Sequence, residues 1–291
     1  MKRMTISLLA IVLLFVASSC SDQSGSKEAH GKYIASFYPI EYILIELTGT
    51  PNLVENITPL GAEPHEIELS PDAIIKLQDS KYVFAIGGGF QPSLESSVSS
   101  LENKVFIIEN LFPNSKISDQ HFWLDPILMK DSVDLIAKKL IELDPNKAIK
   151  IEQNKVELIN KLDKLDLTFK EKLSNCKFDT IITTHEAFGY IAKRYGFKQE
   201  SIAGYSPENE PSPKRLNQLV TLISKLEIKT IFTENLSSDK LAKALASETG
   251  IKTENLNALE YLTKDEQENG KNYISIMQET ANKLSDALEC N

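Results

Sequence analysis

The stretch PNKAIKIEQNKVELINKLDKLDLTFKEKLS, residues 145–174, is the most periodic in the chain and organises everything around it. Ile151, Leu158, Leu162, Leu165, Phe169 and Leu173 recur in it at helical spacings of three, four and seven, with Lys, Glu and Asp filling the remainder. As one helix it would form a rod of about 45 Å, at about 1.5 Å of rise per residue. A flexible linker would be rich in Gly, Ser or Pro, and this one is not. A stiff connection is therefore expected between whatever lies on its two sides, with little relative motion.

On both sides strands alternate with helices. Residues 32–37, 81–86 and 104–108 are apolar runs of strand length rich in Ile, Val, Phe and Tyr. Between them, Ser70-Pro71-Asp72 supplies an N-cap and an N1 proline for a helix carrying Ile74, Ile75 and Leu77. Beyond the rod the alternation recurs. Residues 179–183 and 229–233 read as strands, and a helix from about Ser212 carries Leu216, Leu219, Val220, Ile223 and Leu226. Another starts near Ser238 and ends before Gly250, a natural C-cap residue. The expected class is α/β: two lobes with mostly parallel sheets, residues 32–144 and 175–291, joined by the helix at 145–174.

The 291 residues are 42% hydrophobic and 25% charged, an ordinary globular composition that excludes disordered, collagen-like and coiled-coil chains. With 32 Lys plus Arg against 41 Asp plus Glu, the net charge of -9 disfavours a nucleic-acid partner, because phosphate neutralisation needs a basic face. Three Cys and four His cannot build a four-thiolate zinc or iron-sulfur framework, so any metal site must lean on the histidines.

The amino terminus reads as a targeting device. Lys2 and Arg3 precede an apolar run at residues 6–16, and Ala17-Ser18-Ser19 lead to Cys20. This resembles a bacterial lipobox, with Ala17 where Leu is more usual. Residues 1–19 are read as a lipoprotein signal, Cys20 as the site of the lipid anchor, and the small polar residues 20–31 as a flexible tether. No later apolar run reaches the roughly 18 residues of a transmembrane helix. Cys176 and Cys290 then form an even pair in an oxidising compartment, open either to a disulfide or to two separate buried thiols.

Three of the four histidines fall in blocks near strand ends that open onto helices: His65 in GAEPHEIELSP (61–71), His121 in DQHFWLDP (119–126) and His185 in TTHEAFG (183–189). In open α/β sheets the carboxyl ends of strands face the ligand crevice. His30 lies in the tether, exposed. A single histidine at a helix start is usually structural, but three together with a carboxylate suit tetrahedral zinc. No HExxH pair exists, so the ligands would have to converge through the fold. Gly87-Gly88-Gly89 reads as a tight turn rather than a phosphate loop, since it is not GxGxxG and no Lys-Ser/Thr follows.

Four ordered blocks carry a resemblance: EPHEIELSP (63–71), HFWLDP (121–126), THEAFGY (184–190) with KRYGF (193–197), and SPENEPSP (206–213). In them, and over residues 33–288, the chain resembles the metal-binding receptors of bacterial ABC importers. That family captures zinc or manganese and is built from two α/β lobes on one rigid backbone helix. The resemblance implies a metal site in the cleft between the lobes, with His65, His121 and His185 as ligands. It points to the zinc branch, since the manganese branch usually carries Glu at the third block. It also implies a monomeric, exported receptor that delivers Zn2+ to an ABC transporter membrane permease and performs no enzymatic chemistry.

For the fourth ligand, the Leu-Asn-x-Leu-Glu pattern of some zinc receptors matches residues 256–260 and points to Glu260. Asn257, where others carry Asp, is a poor ligand beside an available carboxylate. Water or Glu234 remain as alternatives, and Glu234 and Asp125 could each instead accept a histidine N–H. The long His-rich loop of many zinc receptors is absent, residues 109–120 being short apart from containing no histidine. Other functions of the same chemistry are a manganese or iron receptor, a surface adhesin of the same fold, or a zinc metallohydrolase, which would need an open metal position and a general base.

Overall fold

A computed structural model describes residues 32–108, 119–207, 209–234 and 239–291. The signal, Cys20, the tether with His30, Glu208, Ser238 and residues 109–118 lie outside it.

Two four-stranded sheets carry the two lobes. In the first, β1 (Tyr33–Ala35), β2 (Val54–Asn56), β3 (Tyr82–Ala85) and β4 (Val105–Ile107) lie in the order β2-β1-β3-β4. In the second, β5 (Thr180–Thr183), β6 (Lys198–Ser201), β7 (Thr230–Thr233) and β8 (Lys252–Asn255) repeat that order as β6-β5-β7-β8. Every pairing is parallel. The winding therefore reverses between β1 and β3, and again between β5 and β7. Such switch points open a crevice at the strand carboxyl ends.

Helices connect the strands: α1 (Tyr38–Thr48), α2 (Pro71–Asp79), α3 (Pro92–Val98) and α4 (Pro126–Leu143) before the long α5 (Ala148–Lys172). After it come α6 (Gly189–Tyr195), α7 (Pro213–Leu226), α8 (Asp239–Thr249), α9 (Lys264–Glu268) and α10 (Tyr273–Ala287). Local signals set their ends. Ser70 Oγ accepts from Ala73 N at 3.2 Å and Ser212 Oγ from Arg215 N at 3.2 Å, each before an N1 proline. Gly87, Gly88 and Gly89 have φ of 85°, 69° and 82°, the turn that only glycine makes without strain.

α5 is shorter than the periodicity implies. It has 25 residues, about 37 Å, because Pro145–Lys147 is a separate 3-10 turn closed by Lys147 N to Asp144 O at 3.0 Å. Three strands are also absent from the sequence expectation: β2, β6 and β8. All lie at sheet edges and read VEN, KQES and KTEN, so little apolar surface marks them.

Ile151, Leu158, Leu162, Leu165 and Phe169 of α5 are buried, as their spacing requires. They belong to one continuous core that includes Tyr33, Phe84 and Trp123 from the first lobe and Ile181 and Phe232 from the second. α10 closes this core: Tyr273 stacks on Tyr42 at 5.4 Å and its hydroxyl donates to Trp123 O. Trp123 Nε1 in turn donates to Ala258 O at 2.8 Å. A packed interior, and not only a helix, therefore runs between the lobes.

Cys176 and Cys290 form a disulfide. It fastens the end of the chain to the entrance of β5, beside Lys177 N to Glu289 O at 3.2 Å and Phe178 N to Leu288 O at 3.0 Å. Among the described residues no helix is long and apolar enough to cross a membrane.

Candidate metal centre

Each candidate side chain lies in a segment between a strand and the next helix. His65 lies between β2 and α2, His121 between β4 and α4, His185 two residues beyond β5, and Glu260 between β8 and α9. The two lobes thus contribute two histidines and a His/Glu pair to one place.

Glu260 Oε1 lies 3.1 Å from His121 Nε2, 3.3 Å from His65 Nε2 and 3.4 Å from His185 Nε2. His185 Nε2 and His121 Nε2 are 3.3 Å apart. All four ligand atoms lie within 4.8 Å of one another. A tetrahedron built on zinc bonds of 2.0–2.1 Å has edges of about 3.3 Å, which the three distances from Glu260 and the His121–His185 distance match. His121 and His185 are fully buried and Glu260 is 2% exposed. His65 keeps 8% of its side chain in contact with solvent, and its Nε2, although 3.3 Å from Glu260 Oε1, makes no well-directed hydrogen bond. A lone pair aimed at a shared centre explains that orphan, since buried polar atoms otherwise find partners.

Carboxylates hold the outer nitrogens of two rings. Glu234 Oε1 lies 2.7 Å from His185 Nδ1 and also accepts from Thr184 Oγ1 at 2.6 Å. Asp119 Oδ1 lies 2.8 Å from His121 Nδ1 and accepts from His121 N at 2.9 Å. A carboxylate on Nδ1 fixes the proton there and leaves Nε2 as the free donor of electrons toward the centre. Glu63 Oε1 accepts from His65 N at 3.0 Å and fixes the backbone of the third histidine.

Burial opposes charge on both inner imidazoles. At His121 it is outweighed by the hydrogen bonds to Asp119 and Glu260, which hold the pKa above the ordinary range. At His185 it is outweighed by Glu234 and Glu260, and the pKa stands well above that range. Glu260, deeply buried, is held well below the usual carboxylate range by the three histidines. Glu63 is pushed up to about 8 by burial and by the nearby charge of Glu260.

The turn that delivers Glu260 is built by Asn257. Its Oδ1 accepts from Leu259 N at 2.6 Å and its Nδ2 donates to Glu266 Oε1 at 2.8 Å. Leu259 has φ of 59°, a left-handed conformation costing roughly 1–2 kcal/mol in a non-glycine residue. The Asn257 bond and the complete burial of Leu259 offset that cost. Phe90 closes the wall, its ring 4.4 Å from His65 and 5.3 Å from Trp123, with Trp123 5.0 Å from His121. This apolar wall lowers the local dielectric and limits water.

Asp125 does not accept from a histidine. It caps α4, accepting from Ile127 N at 2.9 Å, and pairs with the Arg194 guanidinium. Asp119 holds His121 instead, and the sequence reading missed it. The available signal was an acid two residues before a candidate histidine, close enough to bond both its backbone N–H and its ring. Glu234 braces His185 from the far nitrogen, leaving Glu260 as the carboxylate among the three Nε2 atoms. Glu234→Gln should weaken zinc binding about 10–100-fold, the usual effect of losing a carboxylate behind a ligand histidine. Competition against a chromophoric chelator measures it, and a change under twofold would contradict the bracing role.

The profile of the family described as zinc-uptake complex component A, periplasmic (ZnuA), matches residues 34–287. The high-affinity zinc uptake system protein ZnuA of Bacillus subtilis is 33% identical over 97% of this chain and 96% of its own. The zinc-binding lipoprotein AdcA of Streptococcus pneumoniae is 32% identical over 99% of this chain, which spans 62% of that longer protein. The solved Zn(II)-bound ZnuA-like domain of Streptococcus pneumoniae AdcA superposes with a TM-score of 0.76 at 32% identity, covering 89% of this chain and all of that domain. In sequence and in fold, this chain belongs to the ZnuA family.

Proposed function

We propose that this chain is an exported zinc receptor that captures Zn2+ outside the membrane and delivers it to the permease of an ABC importer. His65, His121, His185 and Glu260 are its four ligands. Zinc is the cargo, held and released without covalent chemistry. The observation that carries this reading is the cluster of four ligand atoms, drawn from both lobes, at spacings that fit a tetrahedral ion. Membership of the ZnuA family and the zinc named in its relatives support it.

The receptor is a monomer, tethered by lipid at Cys20 through residues 20–31 after removal of residues 1–19. Its lobes are residues 32–144 and 175–291, set on the connecting segment 145–174. His65, the most exposed of the four ligands, marks the side from which the ion enters. Glu260 also argues against hydrolysis, because a fourth protein ligand fills the position that a catalytic zinc keeps for water.

Zinc should bind one per chain and outcompete manganese by a wide margin, since imidazole-rich four-coordinate sites suit zinc while manganese favours oxygen-rich octahedral ones. His185→Glu should narrow that margin. Titration of the purified mature chain with each metal, with elemental analysis, tests this; manganese binding as tight as zinc would contradict it.

A further inference from the structure

Gly189 opens α6 in the second lobe and faces the segment of the first lobe that carries His121. A Cβ on Gly189 would lie 2.8 Å from Asp119 Oδ2, closer than real Cβ contacts come. Its backbone is not in the left-handed region, so glycine is not required there for conformation. Glycine is also a poor helix residue. Space is what it provides.

That space is filled by a carboxylate already held through its other oxygen. Asp119 Oδ1 is committed to His121, to the ring at 2.8 Å and to the backbone N–H at 2.9 Å, which leaves Oδ2 over Gly189. The next residue completes the seat: Tyr190 Oη donates to Asp119 O at 3.0 Å. We infer that Gly189 is a positioning residue for zinc binding, its missing side chain letting the second lobe seat the Asp119 carboxylate that aims His121 Nε2 at the ion. Residues 185–190 then carry one ligand and seat the brace of another. Displacing α6 from Asp119 loosens both. The inference rests on the reading of His121 as a zinc ligand.

Zinc affinity of the mature chain, measured by chelator competition, tests it in four variants: Gly189→Ala, Asp119→Ala, the double variant and His121→Ala. Gly189→Ala and Asp119→Ala should each weaken binding about 10–100-fold. The double variant should stay within about twofold of Asp119→Ala alone, because effects acting through one shared contact do not add. An affinity for Gly189→Ala within twofold of the unaltered protein would overturn the inference, as would losses that multiply in the double variant. If Gly189→Ala alone fails to fold, the double variant should fold, since the carboxylate the methyl would strike is gone; a double variant that also fails overturns the inference. His121→Ala separates the two readings. If it binds zinc normally, the ligand assignment itself falls; if it loses zinc while Gly189→Ala does not, only the positioning role falls.

Discussion

Glu260→Gln should weaken zinc binding at neutral pH by roughly a hundredfold to several thousandfold, and the deficit should shrink as the pH falls. The first half follows from burial. Glu260 is the one carboxylate among the four candidate ligands and is 2% exposed. Removing one partner from a buried charged set costs about 3–5 kcal/mol, and each 1.4 kcal/mol is tenfold. The second half follows from the protons. An imidazole must be neutral to ligate, so metal and protons compete. Asp119 and Glu260 raise the pKa of His121 against the effect of burial, and Glu234 and Glu260 raise that of His185 further. In the unaltered protein, proton competition therefore begins above the ordinary histidine value of about 6.5 and strengthens as pH falls. Glu63, pushed up to about 8, gains its proton in the same range and removes a nearby negative charge, which acts in the same direction. Glu260, held well below the usual range, stays ionised throughout and adds nothing to the slope. Its replacement by Gln removes one cause of the raised histidine values, so the acid fall of the variant starts at lower pH. Isothermal titration between about pH 5.5 and 8 reads both effects, a window set by the reference values. An affinity independent of pH, or a deficit that widens toward acid, would show the proton argument to be wrong.

Loss of the Cys176–Cys290 disulfide should lower stability by about 2–5 kcal/mol and leave zinc affinity within about twofold. The bridge closes a segment of 114 residues, nearly the whole second lobe, so it removes a large amount of freedom from the unfolded chain. In a protein of this size each kcal/mol moves the melting temperature by about 2–4 °C, so Cys176→Ser/Cys290→Ser should melt about 5–15 °C lower. The bridge lies ahead of β5 and His185 follows its other end, so the sheet separates the two. A melting temperature unchanged by the double substitution would contradict this, and so would a large loss of zinc affinity.

The central strands and the long helix were legible because burial on both sides makes apolar runs. Residues 81–86 and 229–233 announce β3 and β7 in this way. The edge strands β2, β6 and β8 were silent, since a half-exposed strand needs no apolar pattern and the pairing that forms it is set by neighbours distant in sequence. The three histidines could be placed at strand ends, but their convergence was not readable from spacing; it depends on the repeated sheet order and on the core through α5 and α10. Asp125 looked like a brace because it follows His121 closely. A proline after it makes it a helix cap, and Asp119, on the other side, takes that place. The disulfide was one of two open readings, because only the fold brings residues 176 and 290 together.

The most direct test of the metal centre is zinc K-edge X-ray absorption on the native, zinc-loaded protein. Three imidazole nitrogens and one carboxylate oxygen at about 2.0–2.1 Å are expected, with no sulfur. In His121→Ala, a protein carrying any zinc should show one imidazole fewer. A six-coordinate oxygen shell, or a spectrum unchanged by His121→Ala, would contradict a site built from His65, His121, His185 and Glu260.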